Sequence, residues 1–153
     1  MGGFEITLHM LMNTCASLIV IDGDHNATIT AYTPPPAGES YDAIFKIISA
    51  DYITIQKFTM QENSGNTVTA FATNTMTEWG VALLRRTTGQ DGAQHNNIID
   101  NDISLDRTYP NSVGIYSNVR HLPTTPLISN DITNVTGSNF ANTVYNNRIG
   151  NVS

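Results

Sequence analysis

The sequence predicts an all-β fold in which the chain winds into stacked coils, a β-solenoid of about six rungs. The first observation is a motif that returns about every 45 residues, with two apolar residues five apart in each copy. Recurrence at a fixed long period is typical of stacked repeats. We interpret a period of this length as two rungs, because it is too long for one. The apolar pairs are Ile53 and Phe58, Ile98 and Ile103, and Val144 and Ile149.

Composition is the second observation. Charged residues make up only 13% of the 153 residues, whereas Asn (17) and Thr (20) together form about a quarter of the chain. Thr favours strands and Asn favours tight turns, so this mixture indicates β-structure with many corners. The length fits a single domain, 1–153. A net charge of −6 argues against a nucleic-acid-binding protein, which needs a basic patch.

The predicted elements follow from apolar alternation and from turn residues. Residues 1–17 fit either an N-terminal cap or a first strand. The polar, Thr-rich residues 62–77 predict a long loop, and residues 118–127 predict a second. Strand-like runs occur at 17–23, 27–32, 43–49, 51–60, 78–86 and 113–118, of which 51–60 belongs to the first motif copy.

Two further patterns concern how the rungs stack. Residues 79–83 match residues 113–117, each with a glycine beside an apolar residue, and we interpret them as intermediate rungs. Asn residues at the corners of such a stack share amide hydrogen bonds between layers. The candidates for these corner ladders are Asn97, Asn101, Asn146 and Asn147.

Targeting and redox features are sparse. Cys15 is the only cysteine, so no disulfide within the chain is predicted. No stretch reaches the ~18–20 apolar residues of a membrane span, and we expect no membrane insertion. Residues 4–21 do not fit a signal peptide because Glu5 stands where positive charge is expected, so we expect no signal peptide in this chain. Three histidines lack the spacing of metal ligands: His25, His95 and His121.

Four segments carry a likeness to a known group: DAIFKIISADYITIQKFTMQEN, EWGVALLRRTT, NNIIDNDISLDRT and GIYSN. They resemble the right-handed parallel β-helix modules, of the pectate-lyase-like superfamily, in large secreted or surface proteins of Bacteroidetes-type bacteria. The resemblance implies a right-handed parallel β-helix and a secreted or cell-surface location for the natural parent. The superfamily uses this scaffold for polysaccharide lyases, glycoside hydrolases, phage tailspikes and adhesins. The scaffold alone therefore does not define the activity.

Acidic residues at the second motif copy are the candidate catalytic group. Asp100 and Asp102 are two apart, so on a strand they share one face, and Asp106 and Arg107 follow. The resemblance implies Ca²⁺ bound by acidic residues of adjacent rungs, as in parallel β-helix lyases, and carboxylate oxygens suit Ca²⁺. The alternative is that these are solvated corner residues, since Asp favours turns. We favour the alternative and predict no catalytic residue, metal site or cofactor.

A second candidate set concerns carbohydrate binding. Glu78 and Trp79 stand at the rim of the predicted loop 62–77, and Trp79 is the only tryptophan. An aromatic ring offers a flat apolar face on which a sugar can stack. Arg85 and Tyr116 complete this set. The alternative is that Trp79 packs under the loop as an anchor.

We therefore predict a non-catalytic extracellular β-helix module, a structural spacer or adhesin with weak binding to a polysaccharide or surface glycan. The alternative is a polysaccharide lyase or glycoside hydrolase that acts on an acidic polysaccharide. A glycosidase needs two carboxyl groups about 5–9.5 Å apart, and Glu78 with Asp106 is the candidate pair if their rungs are adjacent. The last rung, ending at Ser153, presents unpaired strand edges. We expect end-to-end self-association, or a cap built by residues 1–17.

Overall fold

A computed structural model of the chain describes residues 18–33, 42–86, 89–119 and 132–153. These residues form strands and two single turns of 3-10 helix, Phe71–Thr73 and Val135–Gly137, so the fold is all-β as predicted. None of the helical turns in these ranges is long and apolar enough to cross a membrane. The strands are β1 (Ile19–Asp22), β2 (Thr28–Thr30), β3 (Ala43–Ile48), β4 (Ile53–Gln56), β5 (Thr59–Gln61), β6 (Trp79–Leu84), β7 (Asn97–Ile99), β8 (Asp102–Ser104), β9 (Val113–Asn118), β10 (Thr143–Tyr145) and β11 (Arg148–Gly150).

The strands form three sheets that the chain visits in turn. Sheet A has the order β1-β4-β7-β10, sheet B the order β2-β5-β8-β11, and sheet C the order β3-β6-β9. Every pairing is parallel. We call one passage through the sheets a coil, so that coils 1 to 4 begin with β1, β4, β7 and β10. This recurrence is consistent with a parallel β-solenoid.

The 45-residue period corresponds to one coil, and its interpretation as two rungs is wrong. Ile98 pairs directly with Val144, and Ile103 pairs directly with Ile149, on neighbouring strands of sheets A and B. Among the described residues no sheet contains more than four strands. The prediction of about six rungs is therefore not confirmed.

The first copy of the motif is in a different register from the one predicted. Ile98 pairs with Ile55 rather than with Ile53, and the second apolar position shifts by the same two residues. The match between residues 79–83 and 113–117 is confirmed, but as neighbouring strands β6 and β9. These segments form sheet C of successive coils and are not intermediate rungs.

The space between the sheets is filled by apolar side chains from all three. Ile55, Met60, Val81, Ile98 and Ile103 are each no more than 1% exposed and belong to one cluster. Burial of each such side chain contributes roughly 1.5–3 kcal/mol. A cavity beside Ile55 has a volume of only ≈ 10 Å³, about the space of one water molecule.

The five-residue spacing of the motif reflects a sharp corner between sheets A and B. In coil 3, Asp100 follows β7 with a φ of 57°, and Asn101 then turns inward and is 2% exposed. A left-handed φ is uncommon for residues other than glycine, and Asp and Asn tolerate it best. Because this corner takes only two residues, Ile98 and Ile103 both reach the interior.

Side-chain amides join neighbouring coils at this corner. Asn101 accepts a hydrogen bond from the Phe58 N (3.1 Å) and donates one to the Ile55 O (3.1 Å). Asn147, one coil further on, accepts from the backbone N and the Nδ2 of Asn101, both at 3.0 Å. Its own Nδ2 donates to the Ile98 O at 2.7 Å. The predicted corner ladder is confirmed for Asn101 and Asn147.

A second ladder, which the sequence did not reveal, runs along the corner that precedes sheet A. Asn96 accepts from the Ile53 N (2.9 Å), and Asn142 accepts from the Asn96 N (2.9 Å). Asn97 and Asn146, the other predicted members, bond to neighbouring coils through side chains outside the ladders.

The predicted loop 62–77 contains no strand, only the turn Phe71–Thr73. Several predicted features lie outside the described residues: the cap or first strand of residues 1–17, Cys15, His121, and residues 120–127 of the loop 118–127.

Candidate functional site: a polar groove at the corner of sheets A and B

In coils 2 to 4, the corner between sheets A and B presents one polar side chain to solvent. Lys57, Asp100 and Asn146 occupy the same position in coils 2, 3 and 4, with φ of 59°, 57° and 52°. The left-handed backbone turns each of these side chains outward and the following residue inward. His25 continues the line in coil 1, since its N donates to the Lys57 O at 3.1 Å. We call these four residues the corner row.

A second line of polar side chains, the strand row, runs beside the corner row. Its members are Thr59, Asp102 and Arg148, which lie in register on β5, β8 and β11. The two rows enclose a shallow groove with a volume of ≈ 270 Å³, and Phe58 and Asn101 also line it. The groove therefore draws side chains from all four coils.

Hydrogen bonds and ion pairs hold the groups of the groove in place. Asp100 accepts from the Asn146 Nδ2 at 2.6 Å, and Asp102 pairs with Arg148. Lys57 pairs with Asp22 at 3.2 Å. These contacts connect neighbouring coils, so they also fix the geometry of the groove along the stack.

The pKa values of two groups at the groove follow from these contacts. The pKa of the Asp22 carboxyl is lowered, first by a hydrogen bond from the Asp24 N and then by Gln56 and Lys57. The pKa of Arg148 is raised by its hydrogen bond and ion pair with Asp102. Two basic side chains, Lys57 and Arg148, and two carboxylates, Asp100 and Asp102, line the groove, and a third carboxylate, Asp22, pairs with Lys57.

The structure brings together only half of the candidate catalytic group. Asp100 and Asp102 share the groove, but Asp106 and Arg107 do not line it. Asp106 accepts from the N and Oγ1 of Thr108 at 2.8 and 2.7 Å, and these bonds lower its pKa. Arg107 is exposed. In the described part of the chain, no three His, Cys, Asp or Glu side chains converge to hold a metal ion.

Glu78, a candidate for carbohydrate binding, lies inside the protein. It is 0% exposed, accepts from the Tyr109 OH (2.7 Å) and accepts from the Asp42 N (2.9 Å). Burial raises the pKa of Glu78 to about 7, although the hydrogen bonds from Tyr109 and Asp42 act to lower it. Burial also raises the pKa of Tyr109 to about 12. The structure therefore does not support Glu78 as a sugar-binding residue, or as the partner of Asp106 in a glycosidase.

Trp79 is also enclosed. It is 1% exposed, and its ring stacks on that of Tyr116 with centroids 4.3 Å apart and planes 2° apart. Trp79 packs in a small cluster with Ala82 and Leu84 of the same strand. A sugar ring has no access to it, so the structure does not support the proposed stacking platform. Arg85 follows β6 in the chain and lies outside the groove.

Five members of the two rows were not predicted as site residues: His25, Lys57, Thr59, Asn146 and Arg148. Two of them carry a detectable signal, because Asn146 and Arg148 stand 46 residues after Asp100 and Asp102, at equivalent places of the motif. Lys57 has no such signal, because the predicted alignment of the first motif copy differs by two residues from the pairing in the structure. His25 and His95 do not meet, and His95 stacks on Tyr52 at another corner.

Comparisons of the chain with models of protein families, with curated proteins and with solved structures find no match.

Proposed function

We propose that the chain is a right-handed parallel β-helix module, of the pectate-lyase-like kind, that serves as a non-catalytic spacer or adhesive surface in a secreted or cell-surface protein. The observation that carries this proposal is the double connection between coils. Neighbouring coils are joined by parallel strand pairing and, in addition, by side-chain amides in the interior.

The amide ladders stabilise the stack of coils and also select one arrangement of neighbouring coils. Asn96 is 0% exposed, and its amide bonds to the Ile53 N and the Ala50 O of the preceding coil. A buried polar side chain stabilises only the arrangement in which its partners are in place, because an unsatisfied buried group costs about 1–3 kcal/mol. This supports a fold selected for fixed stacking of its coils, as a spacer requires.

The state of the groove also supports a display surface more than a catalytic centre. Asp102 is paired with Arg148, and Asp100 accepts from Asn146. A general base or acid needs a carboxyl group that is available to the substrate, with a pKa tuned towards the working pH. The alternative, a lyase or hydrolase acting on an acidic polysaccharide, is favoured by one observation: two carboxylates and two basic residues share the groove.

A cleavage assay separates the two functions. The chain is incubated with a panel of acidic and neutral polysaccharides, with and without Ca²⁺, and new reducing ends and unsaturated products are measured. We expect no product on any polymer. Cleavage that disappears in Asp100→Asn and in Asp102→Asn, but not in the matched variant Asp106→Asn, would overturn the spacer proposal and establish the enzyme. An experimental structure with left-handed coils would overturn the assignment to this family.

A further inference from the structure

We propose that copies of this chain stack head to tail, so that the coil 4 end of one copy pairs with the coil 1 end of the next. The coil 4 end consists of strands β10 and β11, and the coil 1 end consists of strands β1 and β2. These are the outermost strands of sheets A and B among the described residues. Because the two contacting surfaces differ, the product is an open filament with one polarity. This assembly depends only on the two ends and is independent of the spacer function.

Backbone hydrogen bonds repeat in one pattern at all three boundaries between coils. A corner residue of each coil donates its N–H to the carbonyl that ends the sheet A strand of the following coil: Gly23 to Gln56, Lys57 to Ile99, and Asp100 to Tyr145. The first residue of each sheet B strand donates in the opposite direction, to the preceding coil: Thr59 to Ala27, Asp102 to Phe58, and Arg148 to Asn101.

The same pattern, continued by one coil, joins the two ends. The Asn146 N–H then donates to the Asp22 C=O of the next copy, and the Thr28 N–H of that copy donates to the Asn147 C=O. Every strand pairing within the chain is parallel, and only a head-to-tail copy keeps this direction, because a copy turned end for end runs antiparallel. Coil 4 has no sheet C strand among the described residues, so the junction consists of sheets A and B.

Apolar side chains at the coil 4 end are more exposed than their equivalents inside the stack. Val144 and Ile149 are 54% and 42% exposed, whereas the residues that pair with them in coil 3 are both 0% exposed. Each belongs to a column that is apolar in every coil: Ile21, Ile55, Ile98 and Val144 in sheet A, and Ile29, Met60, Ile103 and Ile149 in sheet B. A head-to-tail copy places Ile21 over Val144 and Ile29 over Ile149. Both columns then continue across the junction, and burial of their apolar surface stabilises it.

Charge favours this arrangement over the two symmetric ones. With histidine neutral, residues 18–33 contain two charged side chains, Asp22 and Asp24, and residues 132–153 contain one, Arg148. The Arg148 side chain is 82% exposed although it contacts Asp102, so it is accessible to a further acidic group. Two coil 4 ends would bring arginine to arginine, and two coil 1 ends would bring carboxylates together. Like charges at an interface oppose binding, so only head-to-tail stacking is complementary.

Two charge reversals, one at each end, test the inference. Arg148→Glu blocks the coil 4 end, with Val144→Lys as a second variant of that end, and Asp24→Lys blocks the coil 1 end. Lysine is compatible with the φ of 51° at position 24, since Lys57 has a φ of 59°. Arg107→Glu is the matched control, because Arg107 is exposed but lies outside both ends. Sedimentation velocity measures the mass of the species, and circular dichroism establishes that each variant is folded.

We expect the native chain and Arg107→Glu to form a series of species as concentration rises. Each end variant alone should need at least about a tenfold higher concentration to associate, because like charges then meet or the charge pair is lost. An equimolar mixture of Asp24→Lys with either coil 4 variant should contain species of two or more chains. The reason is that the unaltered coil 4 end of one variant fits the unaltered coil 1 end of the other. High ionic strength should weaken association of the native chain.

Four outcomes would overturn the inference. A native chain that stays monomeric at high concentration excludes any assembly, and a mixture that contains only monomers excludes head-to-tail pairing. Association of one end variant alone, at the concentration that suffices for the native chain, would indicate a symmetric contact: two coil 4 ends for Asp24→Lys, or two coil 1 ends for Arg148→Glu. Loss of association in Arg107→Glu would attribute it to the net charge of the chain.

Discussion

Asn147 accepts two hydrogen bonds from Asn101, one from its backbone N and one from its Nδ2, both at 3.0 Å, across the boundary between coils 3 and 4. Asn101 in turn bonds to the Phe58 N and the Ile55 O of coil 2. One buried amide thus connects three successive coils. Asn101 itself is only 2% exposed.

We expect Asn101→Ala to lower the free energy of unfolding by about 2–4 kcal/mol, since it leaves a buried N–H and a buried C=O unsatisfied. Chemical denaturation followed by circular dichroism measures the change. Asn97→Ala is the matched control, because Asn97 is only half-buried and bonds to the Thr54 Oγ1 at 3.1 Å. It should cost less than about 1 kcal/mol. Equal losses in the two variants would contradict a special role for the ladder.

Gly80, on β6 of sheet C, lies close to Ile103 of sheet B. A Cβ at this position would lie 2.5 Å from the Ile103 Cγ2 and 2.6 Å from the Gly114 O. Because the second of these contacts is backbone, it cannot be relieved by a rotamer change. We expect Gly80→Ala to destabilise the protein by about 3 kcal/mol, as overpacking does. The thermal midpoint measures this effect.

The control for that substitution is Gly150→Ala on β11. A Cβ at Gly150 meets no atom within 4 Å, so its stability should be unchanged or slightly higher. Equal stability of Gly80→Ala and Gly150→Ala would contradict the close approach of sheets B and C at Gly80.

The buried carboxyl of Glu78 makes stability depend on pH. Its pKa rises from 4.5 to about 7 on folding, mainly through burial. The folded state therefore holds a proton that the unfolded chain releases, and this contribution is fully present below about pH 4.5 and is lost as the pH rises through 7. At 1.36 kcal/mol per pKa unit, the contribution is at most about 3 kcal/mol.

Unfolding of the native chain and of Glu78→Gln is compared at intervals between about pH 4 and pH 8. The difference in unfolding free energy between the two proteins reports the ionisation of Glu78 alone, because both contain all the other titrating residues. We expect the native chain to lose stability relative to Glu78→Gln as the pH rises. Parallel curves would show that the pKa of Glu78 does not change on folding.

Local features of this fold could be predicted from the sequence, whereas the pairing between distant strands could not. The spacing of Ile98 and Ile103 reports a two-residue corner, a local feature, and both residues are buried as expected. The register of the first copy is not local. Ile53 and Ile55 are each 1% exposed, so both satisfy the apolar pattern, and only pairing with β7 selects Ile55. The interpretation of one period as two rungs was wrong for a related reason, because the length of the loops between strands carries no periodic signal.

The candidate site was predictable only in part for the same reason. Asp100 and Asp102 were found because they lie two apart in the sequence, although Asp100 lies at the corner and Asp102 on β8. Lys57 and Arg148 join them only through pairing between coils. Trp79 was placed at a rim because it borders a loop in sequence. Its burial depends on what packs over sheet C, and no pattern of neighbouring residues encodes that.

The outer edge of coil 4 is expected to mediate self-association of the chain. Strands β10 and β11 are the last strands of sheets A and B among the described residues. Val144 and Ile149 are 54% and 42% exposed, whereas Ile98 and Ile103, their partners in coil 3, are both 0% exposed. An edge that combines unpaired backbone groups with apolar side chains favours pairing with another strand.

We expect residues 1–153 to form larger species as concentration rises, measured by light scattering after size-exclusion chromatography. Val144→Lys places a charge on the edge and should abolish these species, because lysine on an edge strand opposes pairing. Val68→Lys is the matched control, since Val68 is 40% exposed but lies in the loop between β5 and β6. A strictly monomeric chain at high concentration would contradict the expectation. If both variants lost association, general surface hydrophobicity would be its cause, because Val144 lies on the edge of coil 4 and Val68 does not.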